Sequence, residues 1–131
     1  IDLNQADVYV NVVGGLKLGE PAADLAVTSA LISSHKQIQI HPSMIFAGEL
    51  GLTGEIRGVS FVADRLKEAE KLGFKYFVLP ESNRKHLKGT THKMQLLFVK
   101  SISDLANSLN NFAENRTTKK TTRHYEDEVF S

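Results

Sequence analysis

Lys17-Leu-Gly-Glu-Pro-Ala-Ala-Asp-Leu-Ala-Val27, KLGEPAADLAV, reads as a chain that leaves a strand, turns at Gly19 and enters a helix at Pro21. Proline suits the first helical turn because it has no N–H to leave unpaired. Leu25, Val27, Leu31 and Ile32, with the alanines between them, carry an apolar helical face to about Ser34. A turn of this kind holds the first side chains of the helix above the end of a sheet, where enzymes place nucleophiles. Ala22 and Ala23 offer no hydroxyl, thiol or amine at that place. The segment has the form of a catalytic turn without its chemistry.

Working outward, Asp7 to Val13 (DVYVNVV) alternates with the period of a strand and stops at Gly14-Gly15. On the other side, the polar linker HKQIQIHPS leads to a strand predicted over Met44 to Leu50. Gly51 to Gly54 is predicted as a tight turn into a second strand, Glu55 to Val59. Ser60 is the expected N-cap of a helix whose apolar face is Val62, Leu66, Ala69 and Leu72, with Gly73 at its C-terminal end. A strand over Lys75 to Pro80, a basic loop with room for a short helical turn over Glu81 to Thr91, a strand over Lys93 to Val99 and a helix over Ile102 to Phe112 complete the order. The fold class is α/β of the α+β type, a mixed sheet with helices packed on it. Periodicity fades from Ala113, which predicts a flexible tail over 113–131.

The chain has 131 residues, 41% of them hydrophobic and 24% charged, with a formal net charge of +1. This is the composition of one globular domain. There is no cysteine, so disulfides and thiolate metal sites are excluded and a cytoplasmic address is favoured. No apolar run approaches the ~18 residues of a membrane span. The five histidines lack metal-ligand spacing such as H-E-x-x-H, and no G-x-x-x-x-G-K-[ST] phosphate loop occurs. Charge is uneven: Arg84 to Lys93 (RKHLKGTTHK) holds four Lys/Arg and two His without an acid. Such a run is either a solvated loop or a phosphate-tracking surface.

GGLK, GEPAADLAV, GELGLTGEIR and LKEAEKLGFKYFVLPESN, in this order and spacing, resemble the C-terminal Lon-protease-like domain of the bacterial RadA (Sms) family of DNA-repair proteins, over about Asp7 to Phe112. The resemblance implies a Lon-proteolytic-domain-like fold over residues 1–112, with residues 1–6 as linker from an ATPase core. In Lon proteases a serine follows the proline of the helix-opening motif, and a lysine stands early in the helix that ends in the Gly-Ile-Lys-like turn. Matching Pro21 and Gly73-Phe74-Lys75 puts Ala22 and Ala63 at these positions. A nucleophile and its base are both missing, so the covalent serine mechanism cannot run.

The family further implies a DNA branch-migration motor of homologous recombination, with ATP and Mg bound in the ATPase core and no cofactor in this segment. Its implied partners are single-stranded and branched DNA, copies of itself in a hexameric ring, and a RecA-type recombinase. Lys17 and Arg57 are family motif positions flanking the emptied turn and are the first DNA-contact candidates. Arg84, Lys85, Lys88 and Lys93 form the second group. Against this stand a structural Arg57 paired with Glu49 or Glu55, a pure oligomerisation module without DNA contact, and a peptidase using another serine. Ser29, Ser33 and Ser34 lie inside the first helix, where serine more often faces solvent or bonds back to the backbone.

Overall fold

A computed structural model describes residues 20–115 of the chain. The strand expected over Asp7 to Val13, Lys17, and the tail beyond 115 lie outside the described residues. Within them a three-stranded sheet is built from β1 (Met44–Phe46), β4 (Tyr76–Pro80) and β5 (Gln95–Val99), ordered β1-β4-β5 and parallel throughout. Met44 pairs with Tyr76 and Phe77 with Leu96. Consecutive residues of β1 and β4, such as Ile45 with Phe46 and Phe77 with Val78, are buried alike. Side chains of both parities are therefore covered, the usual condition of a parallel sheet.

Three helices supply the cover: α1 (Asp24–Lys36), entered through a 3-10 turn at Pro21–Ala23, α2 (Val62–Lys71), and α3 over residues 102–115. Leu25 and Ala26 of α1, Leu66 and Ala69 of α2, and Leu105 of α3 are fully enclosed with the strand residues in one core. On α2, Val62, Leu66 and Ala69 face inward as their spacing predicts, whereas Leu72 is half exposed. That helix closes as its sequence indicates. Gly73 has φ +92°, its N–H donates to the Glu70 carbonyl, and the Phe74 N–H reaches back to Ala69. This pair of bonds is a Schellman ending, which needs the left-handed residue that glycine supplies without strain.

Several details add to or differ from the expectation. The segment Met44 to Leu50 is not one strand. After Phe46 the chain leaves the parallel sheet, and Glu49–Leu50 (β2) pairs antiparallel with Ile56–Arg57 (β3) as a separate hairpin, in register Glu49 with Arg57 and Leu50 with Ile56. The cause is the start of α1: Gly48 N–H donates to the Ala22 carbonyl, Leu25 N–H to the Gly48 carbonyl and Leu50 N–H to Asp24 Oδ2. These bonds hold 48–50 against the helix.

Ser60 does not cap α2. Phe61 occupies the N-cap with φ +57° and ψ 38°, no side-chain cap bond is made, and the Ser60 carbonyl instead accepts from Arg65 Nε at 2.9 Å. The basic segment Glu81 to Thr91, expected as a loop with room for a short helical turn, carries a 3-10 helix of seven residues, Glu81–Leu87. The terminal helix also extends past Phe112 to residue 115. It is opened by Ser101 Oγ, which accepts the Asp104 N–H, while Asp104 Oδ2 accepts the Lys100 N–H. Among the described residues no helix is long and apolar enough to cross a membrane.

Candidate nucleic-acid interface

The turn that opens α1 is buried and closely packed. Ala22 and Ala23 are buried, and the chain at Gly48 is bonded directly to it. Ala63, in the first turn of α2, is half-buried and packs on the same core. The two elements are joined by Glu20 and Arg65, whose Oε1 and guanidinium lie 3.3 Å apart with the arginine side chain only 13% exposed. This ion pair links the residue two before Ala22 to the residue two after Ala63. The structure therefore brings the two alanine-bearing turns to one region and ties them.

The helix serines differ in their settings. Ser29 is fully buried with no partner for its hydroxyl, and Ser33 donates to the Ile38 carbonyl, while Ser34 is exposed. Among the described residues no group of three or more His, Asp or Glu is arranged to hold a metal ion.

Arg57 stands on β3 with its side chain 57% exposed, and it pairs with Glu55 at 3.1 Å. Glu49 is opposite it in the strand register, yet the bond goes to Glu55. The Glu55 carboxylate also accepts the Thr53 hydroxyl and, at 3.1 Å, the Thr53 N–H, so it organises the hairpin tip. The Thr53 hydroxyl first, then backbone bonding and Arg57, pull its pKa from the ordinary 4.5 to about 2. A depressed carboxylate stabilises its fold above the unfolded value and loses that contribution as pH falls through the folded one. The protection factor of the Thr53 amide, the exchange rate corrected for its intrinsic pH dependence, is thus expected to fall as pH is lowered from about 4.5 to about 2 while the parallel sheet stays protected, followed by NMR. An unchanged amide over that window would remove the carboxylate from this role.

The second cationic group divides. Arg84 makes two bonds to Glu81, at 2.8 and 3.0 Å, and its guanidinium lies 4.1 Å from the centre of the Phe98 ring. The bond from Arg84 is the main reason the Glu81 carboxyl is lowered, and the same bond raises Arg84. Arg84 is therefore committed to its own segment. Lys85 and Lys88 extend into solvent from the same 3-10 helix and its exit. Lys93 is also exposed, and its backbone N–H is fixed by Glu70 Oε2 at 2.9 Å. A methyl at Gly58 would stand only 3.0 Å from Ser82 Oγ, so the end of the hairpin strand carrying Arg57 abuts the 3-10 helix carrying Lys85. Arg57 and Lys85 therefore lie on adjoining elements.

What sequence reading missed lies at that junction. Asn83, 1% exposed, accepts the Val59 N–H on Oδ1 at 2.8 Å and donates from Nδ2 to the Val59 carbonyl at 3.0 Å. Its Nδ2 also meets His86 Nδ1 at 3.1 Å. Beside this clamp, residues 59–63 and His86 line an open cavity of about 390 Å³ with Phe61, 76% exposed, among its walls. The LPESN string contains Asn83, but nothing local marks a side chain that bonds a backbone 24 residues away.

A family model described as subunit ChlI of Mg-chelatase matches residues 1–83. Among curated proteins the chain is similar to "DNA repair protein RadA" of Brucella abortus, 47% identical over 83 residues that make up 63% of this chain and 18% of that one. The RadA of Aquifex aeolicus is 51% identical over 76 residues, 58% of this chain and 17% of that protein. The RadA of Haemophilus influenzae is 40% identical over 111 residues, 85% of this chain and 24% of that protein. The chain thus spans about a fifth of the length of the relatives it matches.

Proposed function

The chain belongs to the family described as subunit ChlI of Mg-chelatase and groups with the RadA DNA-repair proteins, and from that premise we propose that it is the non-catalytic, Lon-like part of a RadA-type DNA branch-migration motor, serving as a DNA-binding and ring-forming scaffold. Ala22 and Ala63 stand where a Lon protease carries its serine and lysine. The observation that supports the reading most is the tie between these two turns through Glu20 and Arg65, without a nucleophile or base at either. ATP and Mg would act in the part of such a motor outside this chain.

DNA contact is assigned to Lys17 and Arg57 first, and to Lys85, Lys88 and Lys93 second. Arg84 drops behind them because its fork is occupied by Glu81. Arg57 is a better phosphate donor than its ion pair suggests. An exposed pair is worth little, so exchanging Glu55 for a phosphate costs little. Ring formation is supported by Leu52, which stands fully exposed at the tip of a hairpin braced by Glu55.

The test is DNA binding against salt concentration. Arg57→Ala and Lys17→Ala are each expected to weaken single-stranded and duplex binding without sequence bias, and to reduce the salt slope by about one unit, since each releases about one counterion. A ring multiplies weak contacts, so the measurement gains from assembly. A chain that forms rings yet binds no DNA at low salt would leave the oligomerisation module as the correct reading.

A further inference from the structure

We infer that Phe61 is a stacking platform for one unpaired nucleobase of single-stranded DNA, seated in the cavity that Phe61 shares with His86. The inference rests on the DNA-binding reading above and adds to it a site for the base, distinct from the cations that track phosphate.

Phe61 is poorly explained as a fold-building residue. The residue is 76% exposed, and its backbone sits at φ +57°, a region that bulky residues enter at a cost and glycine enters freely. The side chain makes no capping bond. Glycine would make the same turn without exposing an aromatic face to water.

The surroundings suit a base. Val59, Val62 and Ala63 give the cavity an apolar floor, and its volume of about 390 Å³ lies within the usual range for small-ligand sites. Its polar member is held in a defined state. Asn83 must point Oδ1 at the Val59 N–H and Nδ2 at the Val59 carbonyl, so the amide cannot flip. Its remaining N–H therefore donates to His86 Nδ1, which leaves the His86 proton on Nε2 as a donor for a base carbonyl or ring nitrogen. Lys85 precedes His86 on the same 3-10 helix and is free to follow the phosphate of the bound nucleotide. Every base has a π-face, so the site needs no sequence preference, only a base that is not already stacked in a duplex.

The experiment uses the full chain with an oligo(dT) carrying one 2-aminopurine and with a duplex of matched length. Wild type is expected to quench the probe in the single strand. Phe61→Ala should lower single-strand affinity about tenfold and abolish the quench. Duplex affinity and the salt slope should not change. Phe61→Trp should restore both losses, and Phe61→Gly should lose the quench while keeping a melting temperature at or above wild type, which separates the effect from unfolding. Wild-type binding with an undiminished quench in Phe61→Ala and Phe61→Gly would overturn the stacking site and leave the DNA-binding reading standing. Parallel loss of single-strand and duplex binding would also overturn it, by making Phe61 part of a general surface. If wild type binds neither form, both readings fall together.

Discussion

Asn83→Ala is expected to destabilise the protein by about 3 kcal/mol, because the change removes two backbone bonds at once and leaves their partners orphaned in a partly buried place. Val59 lies between the hairpin and α2, outside any ladder, and Asn83 acts as the missing neighbouring strand. It satisfies both the N–H and the carbonyl of one residue. Truncation should therefore free residues 58–61, release the His86 ring and let the cavity beside Phe61 collapse. A melting temperature lower by about 10 °C is the scale to expect for a domain of this size. Asn83→Asp should not rescue it at neutral pH: one carboxylate oxygen can still accept from Val59, but the other faces the carbonyl that needs a donor. Protonating that carboxylate supplies the donor, so the stability of Asn83→Asp should rise as pH falls, in the opposite sense to Glu55. A variant with wild-type melting would show that water replaces the amide without cost.

The contrast between Asn83 and Gly73 shows how much of this molecule its sequence displays. Gly73 follows a regular apolar period over Val62, Leu66 and Ala69, and its Schellman bonds reach only to Glu70 and Ala69, so the ending is local and readable. The order of helices and strands is readable for the same reason. Met44 to Leu50 reads as one strand because its residues favour extension throughout. The break inside it is imposed from outside, by bonds to Ala22, Leu25 and Asp24. Ser60 has the right chemistry for a cap, yet Arg65 takes its carbonyl and Phe61 enters the left-handed region in its place.

The cations divide similarly. Arg57 has two acids in reach by sequence, and the fold selects Glu55 because that carboxylate is already held at the hairpin tip by Thr53. Arg84 looks like part of a free basic run. The 3-10 turn brings Glu81 beside it, and β5 brings Phe98.

Gly48→Val is expected to cost about 3 kcal/mol, by driving α1 off the strand end. Even a single Cβ at this position would stand 2.9 Å from Leu25 Cδ2, 3.1 Å from Leu25 Cβ and 3.3 Å from Ile56 Cγ2. A rotamer change can relieve the first contact. It cannot relieve the second, because Leu25 Cβ is fixed by a backbone whose N–H is bonded to the Gly48 carbonyl itself. Leu25 is fully buried, so the helix must move as a body or the bonds that tie Ala22, Leu25 and Asp24 to residues 48–50 must break. Gly48→Ala should show a smaller loss, and adding Leu25→Ala to it should be less costly than the two losses summed, since removing Cδ2 relieves part of the same clash. Chemical denaturation of the four proteins closes that cycle. Displacing α1 also carries Ala22 away from α2 and stretches the bond between Glu20 and Arg65 Nη2, so the Arg65 Nη resonance should shift in Gly48→Val even though position 48 does not touch it. Gly48→Ala at full wild-type stability with an unmoved Arg65 signal would mean that α1 yields freely here, and that the close fit of the Pro21–Ala23 turn against Gly48 contributes nothing to holding the two alanine-bearing elements together.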